Sequence, residues 1–337
     1  MKLRFQLLGW VLATSLAGLV AGCNRGRGKV LETDYVSAPQ AILRDRVAAV
    51  FNKTGTVKNG DQVQVLERER RFLLVRTQDG TEGWIEQRYL VSQQVYEGFQ
   101  KLAQDTQKDP VQGTGATRNE TNLHLDPGRE TEHLYQVGQG SKVTFLSRAT
   151  VAKSLPSEAP KPAAANQSEA AKPVPMEDWW LVRDQQGHAG WVLARMIDLD
   201  VPLEIAQYAE GQRIVAFFVL NQVADRDQKV AQYLVVLSEP KDGLPFDYNQ
   251  VRVFTWNVKR HRYETAYREH KLNGVLPVVV SQEDFGKEGT LPVFVLRVKD
   301  DDGNLSERKY KLNTPIVRRL LTPGEETPHK ALTKRRR

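Results

Sequence analysis

Residues 57–90 read VKNGDQVQVLERERRFLLVRTQDGTEGWIEQRYL, and the chain returns to this pattern further on. In VGQGSKVTFLSR, residues 137–148, Val137, Gly140, Val143, Leu146 and Arg148 stand where Val57, Gly60, Val63, Leu66 and Arg68 stood, at an offset of 80. In WWLVRDQQGHAGWVLARMI, residues 179–197, Leu181, Val182, Arg183, Gly187, Gly190, Trp191 and Arg195 repeat Leu74, Val75, Arg76, Gly80, Gly83, Trp84 and Arg88 at an offset of 107. The second copy therefore carries 27 additional residues in one loop. Both copies consist of short alternating apolar runs broken by glycine turns, which is the rhythm of a small antiparallel barrel.

The chain around this repeat has 337 residues, 40% hydrophobic and 26% charged. That length and balance imply two or three small domains and exclude a multi-span membrane protein. The net charge of +7 is carried by the ends: Lys2, Arg4, Arg25, Arg27 and Lys29 at one, Lys330, Lys334, Arg335, Arg336 and Arg337 at the other. Without those ends, residues 30–322 carry −1. A near-neutral body is a poor reader of a phosphate backbone, so no nucleic-acid partner is expected.

Cys23 is the only cysteine, so the chain has no internal disulfide, cysteine-rich zinc site or iron–sulfur cluster. It closes the stretch MKLRFQLLGWVLATSLAGLVAGC: a basic start, an apolar run from Phe5 to Leu19 too short to span a bilayer comfortably, then small residues. Leu19-Val20-Ala21-Gly22-Cys23 resembles the lipobox of bacterial lipoproteins. The resemblance implies a signal peptide at residues 1–22, diacylglyceryl transfer to Cys23, and a membrane-lipid partner that holds the chain on the periplasmic or extracytoplasmic side of the cell envelope. Residues 23–33 form a tether whose Arg25, Arg27 and Lys29 either lie on anionic lipid or are simply solvated. Asn24 is not the Asp that retains some lipoproteins in the inner membrane, which favours the outer membrane in a Gram-negative cell.

The repeat itself resembles the bacterial SH3-like (Src homology 3, SH3b) domain, often found in tandem in envelope proteins. The family's turn before a "V.V" strand, aromatic opening of the next strand and Gly-Trp before the last are present as Gly60-Asp61 with Val63 and Val65, Phe72, and Gly83-Trp84. In the second copy they are Gly140-Ser141 with Val143 and Phe145, Trp179, and Gly190-Trp191. The opening segment NLHLDPGRETEHLYQVGQG of the second copy has the expected strand, Pro-Gly turn and return; AILRDRVAAVFNKTGTVKNG in the first lacks the Pro-Gly. The resemblance implies one SH3-like domain at 34–91 and another at 117–198. It also implies a groove for cell-wall (peptidoglycan) peptides or protein segments with Phe72, Trp179, Trp180, Arg76 and Arg183 as candidate ligand-binding residues. Trp84 and Trp191 are expected as barrel core.

Between the copies, Val95, Phe99 and Leu102 recur at helical spacing after a potential N-cap at Ser92, which predicts a linker helix at 92–108. Its task is packing the barrels together or holding a partner. Residues 149–178, rich in Ala, Pro, Lys, Ser and Glu, are expected as a disordered insertion. Residues 200–322 alternate in seven runs, RIVAFFVLN, AQYLVVLS, NQVRVFTWN, RYETAYRE, VLPVVVSQ, LPVFVLRVK and ERKYKL, and predict an antiparallel β sandwich or barrel of no recognised family, with a short helix near Pro202–Ala209. A basic tail occupies 323–337. The fold class is thus mainly β: two SH3-like barrels joined by a helix, followed by a β domain.

Catalytic patterns are missing from the sequence: no phosphate-binding glycine loop, no HExxH and no Gly-x-Ser-x-Gly. Papain-like wall peptidases often carry SH3-like modules, but the sole cysteine is committed to lipid. His124 with His133, and His261 with His270, are pairs that lack an identifiable third metal ligand. Asp300–Asn304 (DDDGN) has Leu305 and Lys311 where a calcium loop needs Gly and Glu, so it reads as a hairpin turn. Lys259, Arg260, His261, Arg262, Tyr263 and Arg268 form a basic run that suits either an anionic polymer or solvent. The expectation is a non-catalytic, cofactor-free, metal-free lipoprotein that binds wall peptide. The alternative is an envelope scaffold or assembly lipoprotein that binds other proteins. An activity housed in residues 200–322 stays open.

Overall fold

The computed structural model describes residues 29–154 and 174–321. The signal peptide, Cys23 and most of the tether, the middle of the insertion and the basic tail lie outside the described residues. The described chain is mainly β and forms three antiparallel sheets. It divides into a first unit containing Gln40–Leu90 with the strand before it, and a second that runs from Val91 onward.

The first sheet contains β1 (Glu32–Val36), β2 (Gln40–Arg44), β3 (Lys53–Lys58), β4 (Gln62–Glu69), β5 (Phe72–Thr77), β6 (Glu82–Glu86) and β7 (Leu90–Ser92). Their order is β3-β2-β6-β5-β4-β1-β7. Strand periodicity sends Leu43, Val63, Val65, Leu73, Val75 and Ile85 into one core, each at most 1% exposed.

Helix α1 (Gln93–Asp105) follows, with the Ser92 hydroxyl accepting from the Val95 amide at 3.4 Å. It packs onto the second barrel. Phe99 is buried edge-on against Tyr135 with ring centroids 5.5 Å apart, and Gln100 Nε2 donates to the Tyr135 hydroxyl at 3.1 Å.

The second sheet contains β8 (Gly113–Thr117), β9 (Thr121–His124), β10 (His133–Val137), β11 (Lys142–Ala152), β12 (Met176–Arg183), β13 (Ala189–Leu193) and β14 (Ile197–Leu199). Its order, β10-β9-β13-β12-β11-β8-β14, is that of the first sheet position by position. The insertion is narrower than its composition implied. Ala149–Ala152 and Met176–Asp178 are strand, paired from Ala149↔Trp179 out to Ala152↔Met176, because backbone pairing continues through a segment that offers little apolar surface.

After α2 (Leu203–Ala206), the third sheet runs through β15 (Arg213–Asp225), β16 (Gln228–Ser238), β17 (Tyr248–Asn257), β18 (Arg262–Asp284), β19 (Thr290–Lys299), β20 (Leu305–Asn313) and β21 (Ile316–Leu320), each paired with the next. It is one meander that curls into a half-barrel: Gln282 Nε2 on β18 reaches the Leu220 carbonyl on β15 at 2.9 Å. The runs RYETAYRE and VLPVVVSQ are one bent strand, β18, and the seventh strand is β21. Ile205 of α2 is completely buried against Tyr233, Val235, Leu237 and Phe254.

Candidate binding faces of the barrels

Alternation along β5 turns Leu73 and Val75 inward and leaves Phe72, Leu74 and Arg76 on the outer face. On β6, Ile85 is the inward residue, so Trp84 faces outward, half-buried, opposite Leu74 on one side and Arg44 of β2 on the other. The tryptophan expected in the core is therefore outside it. The preceding glycine explains the pair. A Cβ on Gly83 would stand 2.7 Å from the Leu43 Cβ and 2.5 Å from the Thr54 hydroxyl, and one on Gly190 would stand 2.6 Å from the Leu123 Cβ. Glycine lets β2, or β9, cross directly over β6, or β13, and the next residue is necessarily turned outward.

In the first barrel this face is polar at both ends. The Arg44 guanidinium lies 4.2 Å from the Phe51 ring centroid and 5.2 Å from that of Phe72, and meets Glu86 at 3.4 Å. Arg88 holds the other Glu86 oxygen at 2.9 Å. Phe72, under Arg44, is only 6% exposed. Arg76 lies at the far end of β5, paired with Glu82 at 2.7 Å, and lines a shallow depression of about 190 Å3 with Gln62, Gln64 and Gln78.

The second barrel repeats the arrangement with different chemistry. Trp191, half-buried, lies opposite Leu181 and His124. Trp179 is buried edge-on against His124 with ring centroids 5.2 Å apart, and its indole N–H has no hydrogen-bond partner among the described residues. His124 and His133 are cross-strand partners with centroids 5.5 Å apart. Burial, reinforced by the neighbouring His133, pushes the His124 pKa below its usual value. Trp180 points the other way, into the core against Phe145, and Arg183 donates to the Thr106 carbonyl just after α1. The division expected from the sequence is thus reversed in exposure. Phe72, Trp179 and Trp180 are buried, whereas Trp84 and Trp191 reach the surface, because two successive aromatics on one strand must face opposite sides and both find cover here.

The other histidines among the described residues go separate ways: His188 stacks on Tyr135 and bonds Asp184, His261 bonds Asp225, and His270 bonds Gln250. Among the described residues no three His, Cys, Asp or Glu side chains gather as metal ligands. Asp300 caps its own hairpin through the Asn304 amide at 2.8 Å. The basic run is internally compensated: Arg260 and Arg262 meet Glu264, and Arg268 meets Glu210. The sequence reading missed Arg44, and named His124 only as half of a histidine pair without a third metal ligand. Their signal was the repeat offset of 80, which aligns them.

No curated protein matches the chain. Among solved structures, an NlpC/P60 family protein from Bacillus cereus ATCC 10987 is 11% identical over 57% of this chain, with a TM-score of 0.23. This chain spans 65% of that protein. NlpC2 from Trichomonas vaginalis is 11% identical with a TM-score of 0.18, covering 86% of this chain and 95% of its own. NlpC1 from the same organism is 9% identical with a TM-score of 0.17, covering 71% and 88% respectively. Superpositions this loose do not establish a common fold. The segment from Ile42 on β2 to Val91 on β7, which holds the Gly83-Trp84 crossing, matches the family model of the bacterial SH3 domain over residues 42–91.

Proposed function

We propose that this chain is a lipid-anchored, non-catalytic cell-envelope protein whose tandem SH3-like barrels bind cell-wall peptides on their matched outer faces. The observation that carries the reading is the recurrence of four outward positions on two sheets of identical strand order: Arg44 and His124, Phe72 and Trp179, Leu74 and Leu181, Trp84 and Trp191. The match of residues 42–91 to a bacterial SH3 domain supports a wall-binding role. The partly exposed Trp84 and Trp191 are the stacking residues, and the buried Phe72 and Trp179 support the position beside them. An extended polar peptide held on a shallow face by stacking and a few hydrogen bonds is bound weakly. Two such faces on one anchored chain add through effective concentration. Acylated Cys23 is the lipid anchor, on the extracytoplasmic side, and Asn24 favours the outer membrane of a Gram-negative cell.

The test is co-sedimentation of the unlipidated Cys23→Ala chain with purified sacculi. Trp84→Ala and Trp191→Ala should each weaken retention by about three- to tenfold, the worth of one aromatic stack, and together abolish it, with circular dichroism unchanged. A wild-type surface that ignores sacculi at low and moderate salt would replace this reading with that of an envelope scaffold that binds proteins.

A further inference from the structure

The β2–β3 hairpin of the first barrel and the β9–β10 hairpin of the second close in the same way. The Asp45 amide donates to the Asn52 carbonyl at 3.0 Å, and at the offset of 80 the Leu125 amide donates to the Glu132 carbonyl at 2.8 Å. The two tips differ in chemistry. In the second barrel residues 126–131 read DPGRET and are held by their own polar groups: the Thr131 hydroxyl donates to the Asp126 and Gly128 carbonyls at 2.7 and 2.8 Å, and Arg129 is paired with Glu177. In the first barrel residues 46–51 read RVAAVF. Ala48, Ala49 and Val50 are exposed there, Val50 to 86%. Polar contacts gather at the base of this loop, where the Asp45 carboxylate accepts from the Asn52 amide at 2.8 Å and from Arg46 at 2.7 Å. Since the hairpin closes equally well over a polar tip, folding does not select the apolar one, and a run of exposed apolar side chains on a braced loop marks a contact.

We propose that the 47–51 tip inserts into the bilayer that carries the acyl anchor, at the boundary between headgroups and acyl chains, and so fixes which side of the first barrel faces the membrane. The inference rests on the lipid-anchor part of the proposed function and not on wall binding. Glu32 opens β1 nine residues after Cys23. That length of chain spans at most about 30 Å, roughly the diameter of a domain of about 60 residues, so any side of the first barrel can be brought to the bilayer. The tip is far too small for a stable protein interface, which needs about 800 Å2 from each partner. A group tethered beside a membrane needs no such area, because the anchor supplies effective concentration and a lipid interface takes up apolar surface without a matching shape. No residue from Val47 to Phe51 is charged, so nothing ionised has to leave water. Arg46, and Arg44 with its guanidinium 4.2 Å from the Phe51 ring centroid, stand at the base, level with headgroup phosphates once the tip is in.

The test uses the chain from residue 23 onward, with Cys23→Ala and an N-terminal hexahistidine tag that replaces the acyl anchor on vesicles of phosphatidylethanolamine and phosphatidylglycerol containing a nickel-chelating lipid. Because Cys23 is the only cysteine, Val50→Cys in this background takes a single environment-sensitive fluorophore, and Glu130→Cys places the same label at the matching position of the second tip. Spin-labelled lipids should quench the label at 50 several-fold more than the label at 130. Ala48→Asp/Ala49→Asp should bring quenching at 50 down to the level at 130 with circular dichroism unchanged, and raising the salt should leave it as it was, since apolar insertion is not screened. Equal quenching at the two positions, indifference to the aspartates, or loss of quenching in salt would each overturn the insertion. So would an emission change that needs no vesicles and grows with protein concentration, which would assign the tip to a second copy of the chain. Labelled fatty acid entering Cys23 in cells tests the anchor separately: incorporation without quenching removes the tip and leaves the anchor, and quenching without incorporation removes the anchor and leaves the tip as a bilayer contact.

Discussion

Asp34 lies on β1 with 7% of its surface exposed, and burial, reinforced by the charge of Glu32, raises its pKa from 3.8 to about 6; Arg68, which opposes the shift, is itself engaged with Glu32. Between those two values the folded carboxyl keeps a proton that the unfolded one has lost, so folding takes up a proton there. The stability of the first barrel accordingly falls as pH rises from about 4 through about 6, by an amount on the order of 3 kcal/mol over the whole window, and is level above. Hydrogen exchange at the β1–β4 amides, corrected for intrinsic rates, should show roughly tenfold greater protection at pH 5 than at pH 7.5, and Asp34→Asn should remove most of the difference. Nothing in the sequence singled out Asp34, because its burial depends on strand pairing across the barrel. Arg68 and Arg148 teach the same lesson. The repeat aligns them, but Arg68 meets Glu32 at the surface whereas Arg148, 4% exposed, is enclosed by the carboxylates of Asp178 and Asp247. A repeat reports what a barrel needs of a position and not what lies against its far side.

At the scale of elements, the alternating runs were legible wherever one face is buried and the other wet. They failed at β18, whose middle contains Asn273-Gly274, a dipeptide that reads as a hairpin turn. The strand does not reverse there. It changes partner: Tyr248 of β17 and Val298 of β19 both pair with Gly274. A Cβ at that glycine would stand 2.1 Å from the Tyr248 ring, so close packing of the ring, and not a turn, selects glycine. The insertion in the second barrel was misjudged at its ends for a related reason. Composition reports whether a segment can bury a core, but Ala149–Ala152 and Met176–Asp178 need only extend an existing ladder. That ladder is closed by the Lys153 amide on the Pro175 carbonyl at 2.8 Å, so the two ends already stand at hairpin distance. Replacing residues 155–173 by a two-residue Asn-Gly turn should leave the β11–β12 pairing intact. It should raise thermal stability modestly, by about 1 to 2 kcal/mol, as the closure entropy of the longer loop is removed. A large loss of stability on scanning calorimetry would mean that the replaced residues contribute packing.

At the scale of the molecule, the second barrel and the meander belong to one unit, and several polar groups link them. The central one is Gln112, fully buried just ahead of β8. The pairing of β18 with β19 shifts register between Val275 and Val279, and Val278 falls inside that irregularity. Gln112 supplies what the ladder omits: its Oε1 accepts from the Val278 amide at 2.8 Å, and its Nε2 donates to the Val278 carbonyl at 3.2 Å and to the Pro110 carbonyl at 2.8 Å. A side-chain amide thus substitutes for a strand neighbour across the boundary between two sheets. Truncation to Ala would leave two buried backbone groups unpaired and a cavity beside them, at a cost of about 2 to 4 kcal/mol. Gln112→Met, which fills the volume without the hydrogen bonds, should recover only the packing part. Because Gln112 is anchored in one sheet and satisfies the other, exchange protection in β11–β12 and in β16–β19 should fall together in both variants, and denaturant unfolding of the two should stay coincident. Protection lost from the meander alone would mean that the two sheets unfold independently and that Gln112 is a local repair of the bulge, with the cohesion of the unit resting on Arg148 and its carboxylates instead.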